Sequence, residues 1–315
     1  MAALTDHRPT PPAVPRATDF YKAVVAAGQA PSIGNVQPWR WRLAGNDLDL
    51  FVESSRMPEV TDADGRLAVI SCGAALHHAR LSLAAHGRRV TVTRLPDADN
   101  ASHLARLHTS GQAPVTPATA RLARAIRLRH TDSRTVTGYP VAAQHLAAIC
   151  TALGSQNVGL HVLRPDQILG LTVAASRAHT IEPAAAQWRD ELALWAGGDR
   201  IVGTSGERPH RGRHGEHDRT ATFVVLYGPT DRTLDWLHAG EALSAGWLVA
   251  TELGISMLPF SAPIQGPEAR ASLRREVADL GHPYLAIRLG HHTSAAVGPY
   301  SQRLPPDQII ERISG

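Results

Sequence analysis

The chain has 315 residues, 43% of them hydrophobic, 19% charged and 5% aromatic, a balance that excludes disordered and fibrous classes. Its 32 basic and 28 acidic side chains leave a formal charge of +4 with no basic run, so nucleic acid is not the expected partner. A chain this long buries roughly three quarters of its unfolded surface and needs no disulfide or structural metal to fold; Cys72 and Cys150 form no Cys-x-x-Cys or zinc spacing and read as small buried apolar residues.

Residues 1–16 are proline-rich, lack the apolar core of a signal peptide and read as a flexible tail. No uninterrupted apolar run approaches the ~20 residues that span a bilayer, so no membrane partner and a cytoplasmic location are expected. Lys22 is the only lysine. The positive charge is therefore arginine, whose planar fork suits phosphate or carboxylate, unless it reflects plain compositional bias.

Residues 19–30 place Phe20, Val24 and Ala27 at helical spacing and stop at Pro31. The runs 39–43 and 48–52 flank Gly45-Asn46-Asp47, which predicts a hairpin. Residues 64–86 set Leu67, Ile70, Ala74, His77, Leu81 and Ala84 on one helical face, with Asp64 near the start and Gly87 at the stop. A strand over 90–95 ends at Pro96. A less regular stretch then runs to Thr116-Pro117, a capping residue followed by proline at the first helical position.

From there the order of elements begins again, with a helix to Arg129, a loop, a helix over 141–153 closed by Gly154, and the alternating strand Val158, Leu160, Val162. A helix near 168–178 precedes another with Trp188, Leu192 and Trp195 on one face, broken at Gly197-Gly198. Residues 198–219 are polar and glycine-rich and are expected to be disordered or a lid. Their His210, His214 and His217 have a spacing that could converge on a metal, but the glycines favour a mobile loop. A strand over 222–227, a helix carrying Trp236, Leu243, Trp247 and Ala250 up to Gly254, a helix carrying Leu273, Val277 and Leu280, and a strand over 284–289 complete the pattern. The alternation predicts an α+β (α/β layered) fold. His77-His78 and His291-His292 fall on predicted helix or strand ends and read as surface or satisfied core residues.

The motifs Gly-x-Gly-x-x-Gly, Gly-x4-Gly-Lys-Ser/Thr, Gly-x-Ser-x-Gly and His-Glu-x-x-His are missing. Their absence disfavours Rossmann dehydrogenases, P-loop enzymes, α/β-hydrolases and zincins. Two other segments carry chemistry. Ala30-Pro31-Ser32-Ile33-Gly34-Asn35-Val36-Gln37-Pro38-Trp39 joins a helix to a strand through a loop whose Ser32 hydroxyl, Asn35 and Gln37 amides and backbone N–H groups offer mixed donors and acceptors, as a flat heterocycle requires. It reads equally as a helix stop before an edge strand. Arg129-His130-Thr131-Asp132-Ser133-Arg134 sets two guanidinium groups around a hydroxyl, a pattern able to surround a phosphate. Alone it reads as readily as a solvated helix end with an Asp132–Arg134 surface pair.

Together the two segments resemble the nitroreductase family of FMN-dependent oxidoreductases, whose members carry an Arg-x-Ser-x-Arg/Lys phosphate motif and, later in the chain, Ala-Pro-Ser-x-x-Asn-x-Gln-Pro-Trp beside the flavin. Here the two occur in reverse order. That arrangement is most similar to the actinobacterial, dormancy-associated Acg branch, in which one chain holds two nitroreductase-like halves. The resemblance implies a first half over 17–114, a second over 115–315, and a monomer that imitates a dimer. The first half keeps Pro31, Ser32, Asn35 and Gln37; the second keeps Arg129, His130 and Thr131 but has Gly154-Ser155-Gln156-Asn157 in place of a second proline loop. One flavin site per chain is implied.

In the same resemblance Arg303 is the C-terminal basic residue that helps hold the phosphate, and Arg134 substitutes for the basic residue missing at Ser133. Pro259, Phe260 and Ser261, or else Pro263-Ile264-Gln265-Gly266, take the place of the stretch that offers a backbone N–H to the flavin. No side chain is expected to be catalytic, because the chemistry belongs to FMN. The implied activity is hydride transfer from NAD(P)H to a small-molecule electron acceptor such as a nitro compound or quinone. The alternative is a flavin-holding protein whose lid, over 198–219 or between Pro96 and Val115, prevents turnover. A third reading is an FMN-free relative.

Overall fold

The computed structural model describes residues 17–58, 62–132, 136, 139–154, 156, 158–168, 220–260, 264, 267–277, 280–291 and 301–312. Helix α1, Ala17–Ala27, buries Phe20, Ala23, Val24 and Ala27, the stripe its spacing predicts. The hairpin forms as expected: β1, Trp39–Ala44, pairs antiparallel with β2, Asp47–Val52, around a turn in which Gly45 takes φ +58°. Trp39, Trp41, Leu48 and Leu50 point into the core.

Helix α2, Arg66–Ala85, lies where the periodicity predicts it, but it is buried nearly all round rather than along one face. Its first turn is held by Asp62, not Asp64: the Asp62 carboxylate accepts from Leu67 N at 2.8 Å and Ala68 N at 2.7 Å. His77 and His78 therefore lie in the middle of a buried helix and not near its end. Cys72 is buried, as expected, and its thiol donates to the Pro38 carbonyl at 3.3 Å. The helix has the length and mean hydropathy, 1.2, of a membrane span, yet 83% of that window is buried inside the protein.

The stretch read as irregular after Pro96 contains a ten-residue strand. After β3, Arg88–Arg94, strand β4, His103–Gln112, pairs with both β3 and β2. Its polar residues hid it: His103 and Arg106 bind the buried Asp49 of β2 at 3.0 and 2.7 Å, and His108 binds Asp47 at 2.6 Å, while Leu104 and Leu107 face the core. A stretch with both neighbours paired is sheet interior and not a lid.

Next comes α3, Pro117–Leu128, whose N-cap is Thr116 with Pro117 at the first position; the Thr116 hydroxyl accepts from Thr119 N at 3.1 Å. There follow α4, Ala143–Gly154, β5, Gly159–Val162, and β6, Thr222–Gly228. Then come α5, Thr233–Glu252, β7, Ser256–Phe260, α6, Pro267–Glu276, and β8, His282–Gly290. Most of the predicted helix near 168–178, the helix with Trp188, Leu192 and Trp195, the 198–219 run with its histidines, and His292 lie outside the described residues.

Two sheets result: β5-β6-β8-β7, antiparallel throughout, and a five-stranded sheet of order β3-β4-β2-β1-β9. In the latter, β9, Ile310–Arg312, lies parallel to β1 with Trp41 opposite Ile310. The C-terminal end of the chain thus completes the sheet of the N-terminal part, a connection that three residues without a distinctive pattern do not announce.

Helices α2 and α5 cross between the sheets at two glycines. A Cβ on Gly240 would lie 1.9 Å from the Ile70 carbonyl, and one on Gly73 would lie 2.1 Å from the Leu237 carbonyl, so backbone touches backbone there. His77 bonds Ser244 at 2.8 Å across the same seam, a pair 167 positions apart, the separation that also relates Gly73 to Gly240. Fully buried Glu241 of α5 receives Arg94 of β3 through two bonds of 2.7 and 2.9 Å, with Arg80 of α2 at 3.4 Å.

Candidate functional site

The loop between α1 and β1 is folded by its own polar groups. Ser32 Oγ accepts from Gln37 N at 3.0 Å, closing a 3-10 turn over Ile33–Asn35, and Ile33 N donates to Ser71 Oγ of α2 at 3.3 Å. Gly34, Asn35 and Gln37 all have positive φ, at 55°, 60° and 52°. Positive φ is uncommon for a side chain, costs about 1–3 kcal/mol, and persists only where surrounding bonds enforce it.

Those bonds come from residues 302–304. Asn35 Nδ2 donates to the Gln302 carbonyl at 2.9 Å, and Arg303 donates back to Asn35 Oδ1 at 2.9 Å. Gln37 Oε1 accepts from Leu304 N at 2.9 Å, and its Nε2 lies 3.4 Å from the Gln302 carbonyl. Each end of the Asn35 amide is therefore engaged, with one donor and one lone pair left for another group. The sequence placed Asn35 and Gln37 on one loop and Arg303 far along the chain; the structure joins the three in one network.

Arg129 belongs to the same cluster. It follows the last turn of α3, is 4% exposed, and donates to the Gln29 carbonyl at 2.9 Å, while Arg303 reaches that carbonyl at 3.4 Å. Its guanidinium lies over the Trp247 ring of α5, 4.5 Å from the centroid. The remaining donors, Nε and NH1, are buried and have no hydrogen-bond partner among the described residues. Burial, and then the neighbouring Arg303 charge, push Arg129 down to about 9; burial lowers Arg303 too. A buried guanidinium beside a half-buried one, with no carboxylate paired to either among the described residues, concentrates positive charge in the cluster. This rules out the solvated helix end as a description of Arg129.

The neighbouring residues divide. His130 is half-buried; its Nδ1 donates to the Leu128 carbonyl at 3.3 Å, and its Nε2 is 3.9 Å from Asp132. Thr131 is exposed. Asp132 is buried and its carbonyl accepts from Arg288 of β8 at 3.3 Å. Pro31 and Ser32 are half-buried at the mouth of the loop. Pro259 and Phe260 lie on edge strand β7 opposite Ile287 and Ala286 and have no hydrogen bond to the Asn35 cluster among the described residues. Arg134 and Ser261 lie outside the described residues.

One member escaped the sequence reading. His78 is completely buried; its Nδ1 is 3.2 Å from the Ala26 carbonyl, and its Nε2 has no partner among the described residues. Burial first, then Arg129 and His77, and Arg303 least, hold its pKa well below the usual histidine range. Only its place in mid-helix, two turns before Ala85, hinted at burial.

No protein-family model matches the chain. Among curated proteins it is 32% identical over 323 residues to "Putative NAD(P)H nitroreductase Rv3131" of Mycobacterium tuberculosis, covering 94% of this chain and 92% of that one. It is 28% identical over 316 residues to "Putative NAD(P)H nitroreductase acg" of the same species, covering 92% of each. Among solved structures it is similar to a nitroreductase with bound FMN from Desulfitobacterium hafniense, with 16% identity, a TM-score of 0.43, and coverage of 62% of this chain and 98% of that one.

Proposed function

The chain belongs to the family of these NAD(P)H nitroreductases, and from that premise we propose that it is an FMN-dependent NAD(P)H oxidoreductase acting on a small electrophile such as a nitro compound or quinone. The observation that carries the cofactor is Arg129: a buried guanidinium beside a second one, whose Nε and NH1 have no partner among the described residues. A buried cation without a counter-charge is costly, and a phosphate monoester supplies both the charge and the oxygen acceptors that these donors lack.

On this reading Arg129 and Arg303 hold the phosphate, with Arg134 and Thr131 at its edge. The 31–37 loop faces the flavin, with Ser32, Asn35 and Gln37 supplying polar contacts to its ring. Asn35 does double duty, since its carbonyl oxygen also fixes Arg303. Gln37 ties the loop to the 302–304 segment and so sets the distance between the ring-facing and phosphate-facing groups. When bound, FMN supplies the hydride chemistry that the side chains lack. The chain's own contribution is to bind, orient and neutralise. Pro259, Phe260 and Ser261 at the end of β7 are proposed to lie along the ring. The halves 17–114 and 115–315 act as a pseudo-dimer in a monomer with one site.

The test is spectroscopic. Purified protein reconstituted with FMN and given NAD(P)H without oxygen should lose its flavin absorption, and recover it when a quinone or nitroaromatic compound is added. A yellow protein whose colour persists would support a flavin-holding role instead. A chain that takes up no FMN would refute both.

A further inference from the structure

We infer that His78 is a further ligand-contacting residue of the Arg129 pocket, its Nε2 accepting a hydrogen bond from an O–H of the polyol chain that links the phosphate to the flavin ring. The inference rests on the FMN reading and adds to it a second chemical requirement.

The argument begins with the tautomer. The partner of His78 Nδ1 is the Ala26 carbonyl, which can only accept, so Nδ1 carries the proton. A second proton on Nε2 would make the ring cationic. Complete burial and the charges of Arg129 and Arg303 oppose that, and His77 on the preceding position adds no counter-charge. Nε2 is consequently a lone pair, buried and without a partner among the described residues.

Position comes next. Ala26, whose carbonyl His78 holds, and Gln29, whose carbonyl Arg129 and Arg303 hold, lie three residues apart where α1 ends. The imidazole and both guanidiniums therefore grip the same end of one helix. Arg129 has two bare donors and His78 one bare acceptor, yet no hydrogen bond joins them. A single group that accepts from Arg129 and donates to His78 would satisfy both.

Few ligand chemistries do both. A carboxylate accepts without donating, and inorganic phosphate, which keeps an O–H near neutral pH, is the control that separates a free anion from a larger ligand. A phosphorylated polyol carries an oxyanion and hydroxyl donors a few bonds apart, which matches the two requirements. A bound water is the competing donor, and it makes a different prediction.

The experiment uses the full chain, free of flavin, with 15N-labelled histidine, and follows the His78 Nε2 resonance by NMR. The wild type should show an unprotonated, weakly bonded nitrogen that shifts on adding riboflavin or FMN and stays in place with lumiflavin, which lacks the polyol, or with inorganic phosphate. A resonance that does not move when FMN demonstrably binds would overturn the assignment, as would one that moves with phosphate alone. A nitrogen already hydrogen-bonded before any flavin is added would identify water as the donor and also overturn it.

His78→Leu should raise the Kd for FMN and for riboflavin alike by roughly tenfold, the scale of one lost hydrogen bond. Arg129→Gln should raise the FMN value alone. Unchanged affinities in His78→Leu would count against His78 while leaving the FMN reading intact, whereas a wild-type chain that binds no flavin would remove that reading and this inference with it. Should His78→Leu fail to fold, the NMR measurement on the wild type still decides.

Discussion

Arg129 donates one N–H to Gln29, rests its face on Trp247, and leaves Nε and NH1 bare. A structural arginine at a helix end would place its remaining donors on a carboxylate, and among the described residues Arg129 has none. Arg129→Gln should weaken FMN binding by about 1.5–3 kcal/mol, the scale of a hydrogen bond to a charged group, and leave riboflavin, which has no phosphate, nearly unaffected. Fluorescence titration with the two flavins measures the difference; an equal loss for both would mean that Arg129 acts through the fold. At this scale much was legible. Pro31, Ser32, Asn35, Gln37, Arg129 and Arg303 could be named from sequence because a motif's residue types survive without coordinates. The strained backbone at Asn35 and Gln37 and the bare Nε2 of His78 could not be named, since the first is held by residues 302–304 and the second is set by the packing of α2 on α1, 52 positions away at Ala26.

At the scale of elements, the crossing of α2 and α5 is the feature most sensitive to change. Gly240→Ala would drive a methyl into the Ile70 carbonyl, which is backbone in a buried helix and has no room to retreat. A loss of about 3 kcal/mol or more in unfolding free energy is expected, read by urea denaturation; a variant as stable as the wild type would show that the helices can part there. Elements whose pattern is local were readable in advance: the α1 stripe, the Gly45-Asn46-Asp47 hairpin and the Thr116-Pro117 start of α3. Strand β4 was not, because its outward residues His103, Arg106 and His108 are paired to carboxylates on a neighbouring strand and look like loop until that strand is in place. The burial of α2 on all sides was equally hidden, since one helix cannot reveal that both flanks will be covered. The 3-10 turn at 33–35 has a similar cause, being held by residues 302–304 and Ser71.

At the scale of the molecule, the segment that holds Asn35 and Gln37 continues into β9 and pairs with β1, so the site and one sheet edge depend on the same twelve residues, 301–312. Ending the chain before Ser301 should abolish flavin retention and lower the Tm together; retention of FMN by the shortened chain would place the phosphate elsewhere. Helices α2 and α5 meet at Gly73 and Gly240 and through His77 and Ser244, and β3 meets α5 through Arg94 and Glu241. The family resemblance implies that the 31–37 loop and Arg129 share one site; Arg129 and Arg303 both donate to the Gln29 carbonyl, next to that loop. The central claim is that these remnants assemble a single cofactor site, and the ratio of bound flavin to chain after reconstitution and gel filtration tests it most directly. The account predicts one FMN per chain eluting with a monomer. A ratio near two, or a protein that elutes without colour, would contradict it.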